Sequence, residues 1–206
     1  MNYELVRSIN AAAVTAFHDS ALAPEGAQWA LPCTPFPVLW RKIADNHRCN
    51  ALLSMEEERA RHISLEDDAL AICRHRIARY NFERSAAVSA IDERLLDMLG
   101  NVRRHARARS CSESAGAMID ALSVLAVRIH RMRFYTETHG SDSLPLQLRL
   151  SALAALVAQR INLAYRFDEL MAGAVLGLAC LAPRLPRRES PAQPIRDSAR
   201  QRDVVT

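Results

Sequence analysis

Apolar residues recur at alternating intervals of three and four positions along most of the chain, a spacing typical of helices that bury one face. A first helix is predicted over residues 2–20, followed by a Pro-rich loop over residues 21–37. Further helices are predicted over residues 38–62, 64–102 and 114–138, and a last helix begins near residues 143–145. Long helices with short connections predict an all-α fold, an antiparallel bundle of about five helices.

The C-terminal end of the chain has a different pattern. From Pro183 onward the periodicity stops, and Pro and Arg abound. This composition predicts a disordered tail over residues 183–206, behind a single helical domain of residues 1–182. The tail has six arginines and three acidic residues, so it carries +3 of the formal net charge of +4. The body is nearly neutral, which argues against a nucleic-acid-binding protein.

Polar residues interrupt the apolar stripes of the second and third helices. Asn50 and Glu57 lie on the predicted inner stripe of one, and Asn81 and Arg84 on that of the other. An unpaired polar side chain in such a position costs about 1–3 kcal/mol, so these four need one another, water or a ligand. They form either a structural network that fixes helix register or a ligand or catalytic site.

The helical rise restricts which of these residues can meet. Counted from the short turn near Ser64, Glu57 and Arg84 differ in axial level by roughly 20 Å, so straight helices keep them from pairing directly. The expected contacts are those of Asn50 or His47 with Asn81 and Arg84. This register favours an elongated groove or two separate networks.

Two acidic residues stand out around the fourth helix. Asp120 lies on the flank of its inner face, where carboxylates are seldom left unpaired, and Arg128 follows two turns later. Glu113 precedes the helix and is expected to help satisfy its free N–H groups, with Ser114 as an alternative N-cap. The functional alternative is that the N-terminus of this helix binds an anion, which Gly116 allows to come close to the backbone.

The apolar positions of the last helix predict an inner stripe that includes Leu146, Leu150 and Ile161. Its most apolar part, residues 170–181, is too short to cross a bilayer. Core packing or a homodimer seam is therefore expected there, and no membrane contact. The N-terminus has no basic region followed by an apolar run, so no signal peptide is expected and the predicted location is the cytoplasm.

Several classes of chemistry lack their sequence signatures. The five cysteines form no CxxC pair, which argues against a zinc site or a disulfide framework. The chain has no Glu-x-x-His pair of the kind that binds metals inside helical bundles. It also has no Gly-rich phosphate loop and no recognisable Ser-His-Asp pattern. We therefore expect neither a metal nor a cofactor.

Three segments resemble the bacterial family catalogued as domain of unknown function 4254. His47-Arg48-Cys49-Asn50 followed by Glu57-Glu58-Arg59-Ala60-Arg61 is similar to that family's His-x-x-Asn and Glu-Asp-x-Ala-Arg signature. Ile77, Asn81, Arg84 and Ile91-Asp92 match its third-helix pattern in part. The segment from Ser112 to Leu125 resembles its Ser-Glu-Thr-Pro-Gly box and the helix that follows.

The resemblance implies a context rather than a reaction, because such proteins tend to occur among bacterial biosynthetic genes for cell-surface glycans or specialised metabolites. The chain also departs from the family pattern. Ser54-Met55 replaces a Trp-His pair, Ala78 replaces an Asp and Ala121 replaces an Arg. These losses favour a non-catalytic role.

The leading functional hypothesis is a small accessory enzyme of a bacterial biosynthetic pathway that uses cofactor-free acid–base chemistry on a small-molecule substrate. The pathway expected first is that of a specialised metabolite or toxin, and second that of a surface glycan. The expected catalytic groups are Glu57, with a pKa raised by burial, and Asp120. The substrate-binding candidates are His47, Asn50, Asn81, Arg84, Glu113 and Arg128. The alternative is a non-catalytic helical partner of another pathway protein.

Overall fold

A computed structural model describes residues 2–23, 29–62, 68–138 and 146–181. Within these ranges the chain forms six helices, and the all-α prediction is confirmed. They are α1 (Asn2–Ser8), α2 (Ala11–Ala21), α3 (Pro37–His62), α4 (Asp68–Leu99), α5 (Ala115–Thr138) and α6 (Leu146–Val175). The predicted tail and the turn near Ser64 lie outside the described residues.

The first predicted helix was wrong in one respect, because residues 2–20 form two helices that meet at Asn10. This residue has an extended backbone, with φ −122° and ψ 165°, and its side-chain oxygen accepts a hydrogen bond from Ala13 N at 2.8 Å. Asn10 therefore caps α2 instead of continuing α1. Asp168 of α6 accepts a second bond from the first turn of α2, from Ala11 N at 2.7 Å.

The long helices pack as two pairs around one core. Cys49 lies against Glu83, and Glu56 lies against Arg76, so α3 and α4 run in opposite directions. The second pair is α5 and α6. Both α3 and α4 also contact α5, so α5 joins the two pairs. The largest fully buried side chains come from five helices and from Ile9, which lies between α1 and α2. They are Trp40, Phe167, Leu5, Ile9, Leu39, Ile43, Ile91, Leu95, Ile119, Leu122, Ile129 and Met171.

The inner stripe predicted for α6 was wrong in part. Met171 is fully buried, and Leu153, Val157, Ala164 and Val175 pack against the core. Leu146, Leu150 and Ile161 are exposed, whereas the buried face carries Leu156, Leu163, Phe167, Leu170 and other residues. Both faces of this helix are rich in Leu and Ala, so periodicity alone did not identify the face that meets the core.

A short parallel bridge joins the end of α6 to the segment before α5. Its strands are β1 (Arg109–Ser110) and β2 (Ala179–Cys180), and neither was predicted because two residues give no alternation. Gly177 makes the preceding turn with φ +71°, and a Cβ there would lie 2.3 Å from the carbonyl oxygen of Arg103. Glycine is therefore required at this close approach.

Candidate functional site

Six polar side chains from three helices meet between α3, α4 and α5, and we call this group the polar cluster. Five of the six are buried, and Arg84 is partly exposed, with 30% of its side chain accessible. The cluster consists of Asn46, His47 and Asn50 of α3, Arg84 of α4, and Asp120 and Ser123 of α5.

Asp120 is the acceptor at the centre of the cluster. Its Oδ1 accepts from Asn46 at 2.8 Å, from Asn50 at 3.0 Å and from Nε of Arg84 at 2.8 Å. Its Oδ2 accepts from Nη2 of Arg84 at 2.6 Å, which completes a two-pronged ion pair. Burial acts to raise the pKa of Asp120, but the hydrogen bonds from Arg84, Asn46 and Asn50 outweigh it and hold this pKa below its ordinary value. Asp120 is therefore a fixed carboxylate.

Ser123 links Asn50 to His47. Its hydroxyl oxygen lies 2.9 Å from Nδ2 of Asn50, which can only donate, and 2.7 Å from Nδ1 of His47. Burial lowers the pKa of His47 to about 4, so the imidazole is neutral at pH 7. A neutral imidazole can accept a hydrogen bond at Nδ1. Because Asn50 donates to the Ser123 oxygen, the Ser123 proton is not used in that bond and is free to point toward His47. With the imidazole proton on Nε2, the Ser123 hydroxyl donates to Nδ1 of the neutral His47, whereas in the other tautomer it accepts from Nδ1.

A second histidine stacks on the first. The ring of His18 in α2 lies 4.4 Å from that of His47, with 20° between their planes. Both side chains are fully buried, and neither ring nitrogen of His18 has a hydrogen-bond partner among the described residues. Burial is the main cause that lowers the pKa of His18, followed by the neighbouring His47. Trp29, which is 38% exposed, lies 5.4 Å from the His47 ring.

Four of the eight predicted site residues are thus brought together, namely His47, Asn50, Arg84 and Asp120. Asn50 and Arg84 meet through a shared oxygen of Asp120, as the helical register led us to expect in part. Asn81 does not join them, because it lies on the exposed face of α4.

The predicted burial of Glu57 was wrong. Its side chain is exposed, and the buried stripe of α3 instead passes through the preceding residue, Glu56, which is 4% exposed. The catalytic role that was expected from this burial therefore loses its basis. Glu57 remains close enough to contribute, after Asp120, to the raised pKa of Arg84.

Glu56 forms a second polar group, separate from the polar cluster. Its Oε1 accepts from Arg59 at 3.1 Å and from Arg76 at 3.3 Å. Burial acts to raise the pKa of Glu56, but the hydrogen bond from Cys73 and the two arginines lower it overall. Of the two expected arrangements, an elongated groove or two separate networks, the structure has two separate networks. Glu56, and not Glu57 as predicted, belongs to the second one.

The start of α5 is capped from within the protein. Ser114 accepts from Ala117 N at 3.1 Å, as the alternative N-cap prediction required. The Gly116 N–H donates to buried Asp92 at 2.6 Å, and a Cβ at Gly116 would lie 2.6 Å from the carbonyl oxygen of Val88. The glycine permits close packing against α4, and the carboxylate that its N–H binds is supplied by the protein itself.

The last two candidates lie on the surface. Glu113 is exposed and forms an ion pair with Arg166 of α6 at 2.6 Å, and Arg128 is exposed on α5. Neither contacts the polar cluster.

Sequence reasoning did not select His18, Asn46, Ser123 or Asp92 as site residues. A signal existed for Asn46, a polar residue on the predicted α3 stripe, and for Ser123 and Asp92, which lie inside the family-like segments. His18 offered none, because its contact with His47 joins two helices that are distant in the sequence.

Neither metal sites nor membrane spans are found in the part of the chain that the structure describes. No group of three or more His, Cys, Asp or Glu side chains is placed to hold a metal ion there. No helix in the same ranges is long and apolar enough to cross a membrane.

Comparison with known proteins identifies a family but no activity. No curated protein matches the chain, and no solved structure matches it. The family model described as "Protein of unknown function (DUF4254)" matches residues 40–181, a range that contains every member of the polar cluster. Since this match covers more than half of the chain, the protein belongs to the DUF4254 family.

Proposed function

We propose that the protein is a small cytoplasmic accessory enzyme of a bacterial biosynthetic pathway and that the polar cluster is its site. The pathway we favour makes a specialised metabolite or toxin, with a surface glycan second. The observation that carries the proposal is the Ser123 hydroxyl, held between the Asn50 amide and the neutral His47 ring. A hydroxyl within hydrogen-bond reach of a base is the arrangement used for nucleophilic and acid–base catalysis.

The proposed chemistry is a cofactor-free proton transfer. His47 takes the Ser123 proton at Nδ1 while the serine oxygen takes a proton from the substrate. The proton on His47 then returns to the substrate at another atom, by way of the serine hydroxyl, so that serine and imidazole end as they began. The low pKa of His47 makes the charged ring short-lived in this buried position. Asn50 orients the serine oxygen, and Asp120 acts as a positioning residue that fixes Asn50.

The partly exposed end of the cluster supplies the charge that would hold a substrate. Two N–H groups of Arg84 are bound by Asp120, and its guanidinium extends toward the surface. In this proposal Arg84 attracts a carboxylate or phosphate, and the nearby Glu57 is the acid or base at the solvent side. These roles replace the original assignment of Asp120 as an acid, because four donors saturate its carboxylate.

The test is metabolite profiling of a deletion strain complemented with defined variants. Ser123→Ala removes the hydroxyl and little volume, so the folded protein should accumulate while an intermediate builds up as in the deletion strain. Ser151→Ala on the exposed side of α6 is the matched control. A soluble Ser123→Ala protein that restores the normal profile would overturn the proposal.

The alternative, a non-catalytic partner protein, is favoured by a different observation. The outer face of α6 exposes Leu150, Ile161 and Tyr165, at 48%, 65% and 66%. A contiguous exposed apolar face of this kind is typical of an interaction surface. Ile161→Glu with Tyr165→Glu should then abolish pathway output, while Ser123→Ala leaves it intact. The enzyme proposal predicts the opposite pair of results.

A further inference from the structure

A cavity of about 320 Å³ opens at the start of α3, away from the polar cluster. It lies between α1, the segment before α3 and the second half of α4, and its apolar lining includes Leu5, Phe36, Val38 and Met98. A volume of this size lies at the lower end of the range found for small-molecule sites. At about 30 Å³ per non-hydrogen atom, the cavity holds roughly ten such atoms.

The walls of the cavity are fixed in place. Leu5 and Leu39 are 2% and 1% exposed because their other sides pack in the core. Pro35 and Pro37 restrict the backbone of the segment that forms one wall. A preformed cavity with rigid walls loses little entropy when a ligand binds.

A single charged side chain, Arg94 of α4, lines this otherwise apolar cavity. Its only ion pair among the described residues is with Asp97, at 3.9 Å between two largely exposed side chains. Such a pair contributes little, so the guanidinium can turn to another anion. No acidic side chain lies in the first turn of α3, which borders the same cavity, so the positive end of that helix adds to the charge of Arg94.

We infer that this cavity binds an amphipathic monocarboxylate, a medium-length acyl chain whose carboxylate pairs with Arg94. The apolar lining takes the chain, and the guanidinium takes the head group by a two-pronged bond. The volume fits about eight carbons and two oxygens, the size of octanoate. This site is independent of the polar cluster and of the function proposed for it.

The test is calorimetric titration of the full chain with octanoate, hexanoate and 1-octanol. Octanoate should bind at one site per chain and about fifteen times more tightly than hexanoate, since each buried methylene contributes about fourfold. Octanol, which has no charge, should bind at least tenfold more weakly than octanoate. Arg94→Gln should remove the preference for octanoate over octanol.

The matched control is Arg79→Gln, which removes another α4 arginine that has a weak surface pair and lies outside the cavity. It should leave octanoate binding unchanged. Val38→Trp, at a cavity residue that is 47% exposed, should fill the space and abolish binding of both ligands without unfolding the protein. Absence of saturable octanoate binding would overturn the inference. Equal binding of octanol, or unchanged binding by Arg94→Gln, would overturn the assignment of a carboxylate.

Discussion

The interface of α3 with α5 and the outer face of α6 invert the usual distribution of polar and apolar side chains. The first buries Asn46, His47 and Asp120 in a helical core, whereas the second leaves Ile161 and Tyr165 in solvent. Burying polar groups is costly unless each finds a partner, and exposing apolar groups forfeits burial energy. Each inversion therefore needs its own explanation, in internal hydrogen bonds for the first and in an external contact for the second.

Acid should affect the interface of α3 with α5 most. The pKa of His47 is lowered by burial to about 4, from 6.5 in the unfolded chain, so the unfolded state binds more protons between these values. Stability should therefore be full above pH 6.5 and should fall by about 3 kcal/mol down to pH 4 from His47 alone. Urea unfolding at a series of pH values measures this loss.

The variant His18→Phe with His47→Gln is the control for that measurement, because it removes both buried imidazole groups. Its stability should change much less between pH 6.5 and pH 4. Equal acid sensitivity in the variant would show that other groups cause the loss.

Loss of the ion pair in the polar cluster should have the next largest effect. Arg84→Met leaves the buried Asp120 carboxylate with only its two asparagine donors, and we expect a loss of about 2–3 kcal/mol because Arg84 is itself partly exposed. Adding Asp120→Leu should recover part of the loss, since no charge is then left unpaired. Denaturant unfolding of both variants measures the difference, and a further decrease in the double variant would contradict this account.

The contact of α5 with α4 should tolerate no added methyl group. In Gly116→Ala the new Cβ would meet the Val88 carbonyl, and we expect a loss of about 2 kcal/mol. Gly100→Ala is the matched control, because its nearest neighbour would be the Asp97 carbonyl at 3.3 Å and its φ is not positive. Similar melting temperatures for the two variants would contradict the close packing.

Changes on the outer face of α6 should have the smallest effect on the isolated chain. Ile161→Gln and Tyr165→Gln should each change its stability by less than about 0.5 kcal/mol. Leu163→Gln, which alters the buried face of the same helix, should cost several times more. A large loss for Ile161→Gln that disappears on dilution would show that a second copy of the chain covers this face.

The bounds of the long helices were predictable from sequence, whereas their orientation was less so. The predicted range 38–62 agrees with α3, and 114–138 agrees with α5, because loops rich in Pro or Gly and clear caps delimit them. The rotation of α6 about its own axis was not predictable, because apolar residues of this helix lie on most of its circumference. Adjacent Glu56 and Glu57 posed the same difficulty, since a shift of one residue rotates the stripe by about 100°.

Four of the six residues of the polar cluster were predicted from the sequence, whereas Asn46 and Ser123 were not. The pattern of apolar stripes interrupted or flanked by polar residues made three of the four recognisable, namely His47, Asn50 and Arg84. Ser123 has no such signature, because a small hydroxyl residue is common inside helices. His18 depends on how α2 lies against α3, which no local pattern specifies.

The bridge between β1 and β2 determines when one part of this protein can fold during its synthesis. Arg109 and Ala179 are 70 positions apart, so roughly 4–14 s of synthesis separate them at typical translation rates. Until Gly177 and the residues after it have been added, the basic segment from Arg103 to Arg109 lacks the backbone partners that hold it in the finished fold. Pairing of the segment before α5 with the segment after α6 is therefore a late event, and a chain that ends before residue 177 cannot complete it.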